Sequence, residues 1–204
     1  MVSGTVGYEK YISLFIENSQ TLDFNVVCKD FIPFLPVKNS NILDLGAGAG
    51  QNSAALAKLG FNVTAIEPME AFLNAGMDTY KSTLIEWHHD SLPDITCLNS
   101  HQEKFDFVLI DAVWHHLNEA ERERSASRIS TLIEENGKCA LSLRNGPSGI
   151  GTRVFPTNSN DTINLFERYG FKCIFKLINQ ASVLPHKEEV KWSRLVFEKK
   201  TKRI

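Results

Sequence analysis

Apolar positions along this chain fall into short runs separated by stretches whose apolar residues recur every three or four positions. Strand-like runs occupy 42–45, 63–66, 84–88, 105–111, 138–143, 171–178 and 192–198. Helical spacing fills the gaps at 51–59, 70–79, 118–135 and 161–169, with a short helix near 95–101. Ahead of the first strand, Tyr8, Tyr11, Ile12, Phe15 and Ile16, then Phe24, Val27, Phe31 and Phe34, predict two helices closed by Pro33 and Pro36. Regular alternation of strand and helix predicts a doubly wound α/β sheet of seven mostly parallel strands. The last two strands are joined by a polar connection containing Pro185, with no crossover helix, so the final strand should run antiparallel. The chain reads as one domain, with a helical cap over 1–39 and a core over 40–204.

Residues 41–50 read N-I-L-D-L-G-A-G-A-G. An apolar strand ends in the acid Asp44, and Gly46, Gly48 and Gly50 alternate before a helix begins. Such a turn bends sharply and lets a ligand approach bare main chain, beside helix N–H groups without internal partners. A dinucleotide turn wants G-x-G-x-x-G, but the register from Gly46 gives Gly48 and then Gln51. The acid ahead of the turn suits a positively charged ligand, such as the sulfonium and amine of S-adenosylmethionine. A strand–helix turn without a ligand is the competing reading, and three alternating glycines weigh against it. The second strand ends in Glu67-Pro68-Met69, which places an acid about 20 residues past the first glycine, where ribose hydroxyls are taken. An acid at the N-terminus of the helix that begins near Glu70 is the alternative role for Glu67.

Composition narrows the options. The chain has 204 residues, 43% of them hydrophobic, enough for a substantial core. A formal net charge of −2 gives no electrostatic footprint for nucleic acid. Cys28, Cys97, Cys139 and Cys173 are widely spaced with no C-x-x-C, which favours free thiols and a cytoplasmic setting over a metal site or disulfide framework. No signal peptide or membrane-spanning run is evident.

On these residues the chain resembles the class I S-adenosylmethionine-dependent methyltransferases over nearly its whole length. It is most similar to small bacterial ones of undefined substrate, through I-L-D-L-G-A-G-A-G-Q-N, A-I-E-P, W-H-H-D-S-L-P-D, F-D-F-V-L-I-D-A-V-W-H-H-L and L-S-L-R-N-G-P. The resemblance implies that Asp44, Gly46, Ala47, Gly48 and Gly50 hold the methionine portion and Glu67 the ribose. It further implies that Met69, after Pro68, packs on adenine, that Asp90 with Ser91 and Leu92 reads the adenine amine, and that Ala112 and Trp114 flank the reacting centre. A turn or cap role competes for Asp90.

Asp111-Ala112-Val113-Trp114-His115-His116 ends a central strand, where α/β proteins place chemistry. Metal-dependent O-methyltransferases carry D-A here with an acid on the next strand, but that strand ends Leu143-Arg144-Asn145, so no metal is expected. The absence of a proline after Asp111 argues against DNA amino-methylation. Adjacent histidines do not share a helix face, so one of His115 and His116 is a cap or core residue and the other a candidate base. Arg144, at a strand end, is suited to grip a carboxylate or phosphate, with an ion pair within the loop as its structural alternative, and Arg153 lies close in sequence. The 146–151 stretch reads as a flexible lid. The expected function is methyl transfer to N, O or S of a small-molecule acceptor. A regulatory module that only binds the cofactor, a nicotinamide oxidoreductase and a methyltransferase acting on protein or RNA are the alternatives.

Overall fold

The computed structural model describes residues 2–81, 84–100, 104–184 and 187–201. Seven strands form one sheet: β1 (Asn41–Leu45), β2 (Asn62–Ile66), β3 (Ile85–His88), β4 (Phe105–Ile110), β5 (Ile133–Asn145), β6 (Phe171–Ala181) and β7 (Lys191–Lys199), in the order β3-β2-β1-β4-β5-β7-β6. The first five pair in parallel, and β7 slots between β5 and β6 antiparallel to both. The predicted hairpin geometry is therefore present, although Pro185 lies outside the described residues.

Strand period sorts the core. Leu43, Leu45, Val108, Ile110, Leu141 and Leu143 face one way, packing with Ile129 of α5 (Glu119–Leu132) and Phe166 of α6 (Ser159–Arg168). Ile42, Val63, Phe107, Leu109 and Ala140 face the other, under α3 (Gln51–Lys58) and α2 (Phe24–Val27). Helix α4 (Glu70–Thr79) follows β2, and α1 (Ile12–Gln20) belongs to the leading segment.

Three expected elements differ. The leading segment has α1, a four-residue α2 and three 3₁₀ turns, with Tyr8 on one of those turns and not on a helix. The expected helix near 95–101 is a 3₁₀ turn over Thr96–Leu98, residue 101 being outside the described residues. The helix expected over 118–135 ends at Leu132, because Ile133 is already paired with Phe105 as the start of β5. Asn118 and Glu121 form a reciprocal capping box at its start.

Candidate active site

Strands β1, β2, β3 and β4 are parallel, so the residues after Leu45, Ile66, His88 and Ile110 emerge at one edge of the sheet. The strand order reverses between β1 and β4, which opens a crevice there. A cavity of about 320 Å³ fills it, and the leading segment closes it from above with Tyr8, Phe15, Ser19 and residues 2–5. Its floor and sides include Gly46, Ala47, Gly48, Gln51, Asn52, Glu67, Met69, Phe72, Leu92, Asp111, Ala112 and His116.

Glu67 is held at both oxygens. Gly48 N–H donates to Oε2 at 2.8 Å and Met69 N–H to Oε1 at 2.7 Å. Burial raises its pKa to about 7, against those two hydrogen bonds. Each oxygen keeps a lone pair that can accept from a ligand hydroxyl. Farther along, Gln51 Oε1, Asn52 Oδ1 and Asp111 Oδ1 are buried and have no hydrogen-bond partner among the described residues. All three residues line the cavity. Unpartnered buried acceptors are costly, and a ligand ammonium would satisfy them.

Several expected site residues lie elsewhere. Asp44 shares the β1 face of Ile42, so its carboxylate points under α3 and accepts from Ser53 Oγ at 2.6 Å. It does not line the cavity. Burial raises its pKa to about 7, with the Ser53 bond opposing and Asp111 adding to the rise. Gly50 is also off the cavity wall: with φ at +87°, it opens α3, and a Cβ there would stand 2.4 Å from Trp87. The loop amides are not idle donors either, since Gly46 and Ala47 N–H donate to the Ile66 carbonyl. Ser91 and Leu92 line the cavity, but Asp90 turns onto its own loop, accepting from Ser91 N, Thr96 Oγ1 and Cys97 N. Its turn role is the one the structure displays.

Ala112, at φ +59°, lines the cavity and donates to Ser142 Oγ, while Trp114 is fully buried against Phe166 of α6. His115 is buried behind the wall with its Nδ1 unpartnered, against His116 and the edge of Trp192. His116 faces the cavity. Burial lowers the pKa of both histidines, and the Arg144 guanidinium adds to the fall. Arg153 is structural: it binds the His116 carbonyl and both oxygens of Glu121. Arg144 is half-buried, donates to the Pro147 carbonyl at 2.6 Å, and makes no salt bridge with a carboxylate among the described residues. The lid expected over 146–151 is tied down beyond its end, where Thr152 N–H donates to the Val6 carbonyl, and Gly151 is buried. Among the described residues no cluster of three or more His, Cys, Asp or Glu is arranged to hold a metal, and no helix is long and apolar enough to cross a membrane.

Sequence reasoning left Gln51, Asn52 and Phe72 out of the site and weighed Asp111 only as a metal ligand. The first two were legible in hindsight as the opening turn of α3, and Asp111 as the residue just past β4.

The strand order, the reversed β7 and the glycine turn facing an acid past β2 make the chain similar to the class I S-adenosylmethionine-dependent methyltransferases, in sequence over part of its length and in fold over nearly all of it. Residues 42–137 match the family model described as a methyltransferase domain. Over 96 residues, 46% of this chain, it is 36% identical to a Haemophilus influenzae protein named "Probable S-adenosyl-L-methionine-dependent methyltransferase TehB", and the match covers 31% of that protein. The chain thus spans about a third of that curated relative's length. A TehB-like S-adenosylmethionine-dependent methyltransferase from Corynebacterium glutamicum superposes with a TM-score of 0.68 at 18% identity, covering 94% of this chain and 97% of that one. A Burkholderia thailandensis 1,6-didemethyltoxoflavin-N1-methyltransferase, solved with its acceptor and S-adenosylhomocysteine, gives 0.64 at 14% identity, covering 97% and 80%. The cofactor of this class is S-adenosylmethionine, and the unpartnered acceptors and doubly held glutamate fit it.

Proposed function

We propose that this protein is a methyltransferase that moves the methyl group of S-adenosylmethionine to a small-molecule acceptor. The observation that carries the reading is a set of polar groups on residues lining the cavity: three buried oxygens unpartnered among the described residues, and Glu67 with two free lone pairs. Gln51, Asn52 and Asp111 would take the amino group, Glu67 the ribose hydroxyls, and Met69, Phe72 and Leu92 would enclose the adenine. When bound, the cofactor supplies a methyl group already activated by a positively charged sulfur. The protein's share is orientation and exclusion of water, a contribution that reaches ~7–11 kcal/mol in well-aligned systems.

The acceptor end is bounded by His116 and Ala112 on the cavity wall, with Arg144 close enough to bias both His116 and Tyr8. Among the described residues Arg144 makes no salt bridge with a carboxylate, and it suits an acceptor bearing a carboxylate or phosphate. The relative solved with its acceptor methylates a small molecule, which supports the same class here. The free cysteines suit a cytoplasmic setting. We read the chain as one catalytic domain with its leading segment as a cap.

Incubation with tritiated S-adenosylmethionine and a fractionated lysate tests the reading. Label should enter the low-mass fraction with the wild type and fall at least ~10-fold with Glu67→Gln, as expected for loss of a charged hydrogen-bonding partner. Label confined to protein or RNA would refute the small-molecule acceptor. Tight adenosylhomocysteine binding with no label anywhere would favour a regulatory module.

A further inference from the structure

Tyr8 of the leading segment meets His116, 108 positions away, on the wall of the cavity. The Tyr8 hydroxyl lies 3.1 Å from His116 Nε2, and His116 Nδ1 lies 2.8 Å from the Arg153 carbonyl oxygen. A carbonyl only accepts, so Nδ1 carries the ring proton and Nε2 presents a lone pair to the phenol. Edge-on packing against Phe15 and Phe72 holds the Tyr8 ring. A third segment makes room: a Cβ on Gly151 would stand 2.3 Å from Tyr8 Cε2 and 2.8 Å from His116 Cε1. Glycine at 151 therefore serves the contact of these two rings.

We propose that Tyr8 and His116 form a proton relay, and that the acceptor's nucleophilic atom is a hydroxyl oxygen. The inference rests on the methyltransferase reading and narrows its acceptor. A thiol ionises readily and a free amine already has its lone pair, whereas a hydroxyl gains from a base in the transition state. The acceptor proton passes to the Tyr8 oxygen while the Tyr8 proton passes to His116 Nε2. The freed oxygen pair forms the bond to the methyl carbon, whose former bonding pair stays on sulfur. His116 then returns its proton to solvent as product leaves.

The surrounding charges suit these roles. Burial, with Glu67 nearby, raises Tyr8 to about 12 despite Arg144, so the phenol stays protonated and can donate. Burial holds His116 below its ordinary pKa, opposed by its bond to the Arg153 carbonyl and assisted by the Arg144 and Arg153 guanidiniums. His115 lies against it, and Glu121 is tied to Arg153. At neutral pH His116 is therefore a base and not an acid. An anionic group on the acceptor that paired with Arg144 would weaken one of the repulsions that hold it down.

Imidazole ¹⁵N spectra of the wild type, Tyr8→Phe and Gly151→Ala test the pair without any acceptor. The wild type should show neutral His116 with the proton on Nδ1 at pH 7. Both variants should keep that tautomer and titrate about one unit higher, because a hydrogen bond to the neutral ring is lost. Protonation on Nε2, a charged ring at pH 7, or an unmoved midpoint in both variants would overturn the relay. Methylation of 4-hydroxybenzoate and 4-mercaptobenzoate then separates relay from packing. Tyr8→Phe should slow the hydroxyl probe about 100-fold and the thiol probe less than about threefold. Equal losses on both probes would overturn the proposal. Calorimetry should show adenosylhomocysteine binding within about threefold of wild type in Tyr8→Phe, since the ring that packs on Phe15 and Phe72 is kept and only the hydroxyl's bond to His116 is removed. A wild type that failed to bind it would instead overturn the methyltransferase reading, and the relay with it.

Discussion

Glu67 and Asp44 are buried acids of similar raised pKa put to different uses. Glu67 opens to the cavity, and Asp44 binds Ser53 beneath α3. Their folded pKa values near 7 exceed the unfolded ones, so their contribution to stability is complete below about pH 4 and is lost as pH rises through about 7. The free protein should accordingly show a falling melting temperature from pH 5 to pH 8, with Glu67→Gln flattening part of the fall. Ligand hydroxyls donating to Glu67 favour its charged form, so adenosylhomocysteine binding at pH 7 should release protons and tighten toward pH 8. Calorimetry in two buffers of different ionisation enthalpy measures this; proton uptake would contradict it. Asp44→Ala leaves the Ser53 hydroxyl buried without its acceptor, and should cost about 1–3 kcal/mol of stability by denaturant unfolding. At this scale the sequence was only partly readable. Glu67 lines the cavity, but strand period turns Asp44 to the helix side, and Asp90 spends its carboxylate on its own turn. The pleat could have been counted for Asp44. Nothing in the local sequence around Trp114 says that Phe166 of α6 would claim it.

Among the elements, the packing of α3 and α4 on β3 depends on Trp87. Gly50 and Gly76 both abut its ring, and a Cβ at Gly76 would lie 2.6 Å from Trp87 Cη2. Alanine at a helical position gains about 1 kcal/mol over glycine, while overpacking costs about 1–3 kcal/mol. Gly76→Ala should therefore be net destabilising by thermal unfolding, and Trp87→Leu in the same chain should relieve part of the loss. Additive losses would show that the ring is not the obstacle. Most elements were legible because apolar runs and helical stripes alternate cleanly. The α5–β5 boundary was not, since Glu134-Glu135-Asn136 is polar enough to read as a continuing helix. Only the pairing of Ile133 with Phe105, a tertiary contact, starts the strand there. The reversed β7 was legible from a missing crossover helix, which is a rule of topology and not of local sequence.

For the molecule as a whole, the leading segment closes the cavity over the sheet edge, with Ser3 donating to Glu121 and Val6 accepting from Thr152. A ligand enclosed there should slow amide exchange across residues 2–22, an effect read by deuterium uptake with and without adenosylhomocysteine. Unchanged exchange would mean that the segment does not cover the ligand. The proposed activity requires the cavity at the β1–β4 switch to hold the adenosyl cofactor. Isothermal titration of the purified chain with adenosylhomocysteine, and separately with NADH, decides the point. Adenosylhomocysteine should give a saturating single-site isotherm, weakened in Glu67→Gln, and NADH no heat of binding; saturation by NADH with none by adenosylhomocysteine would refute the cofactor assignment.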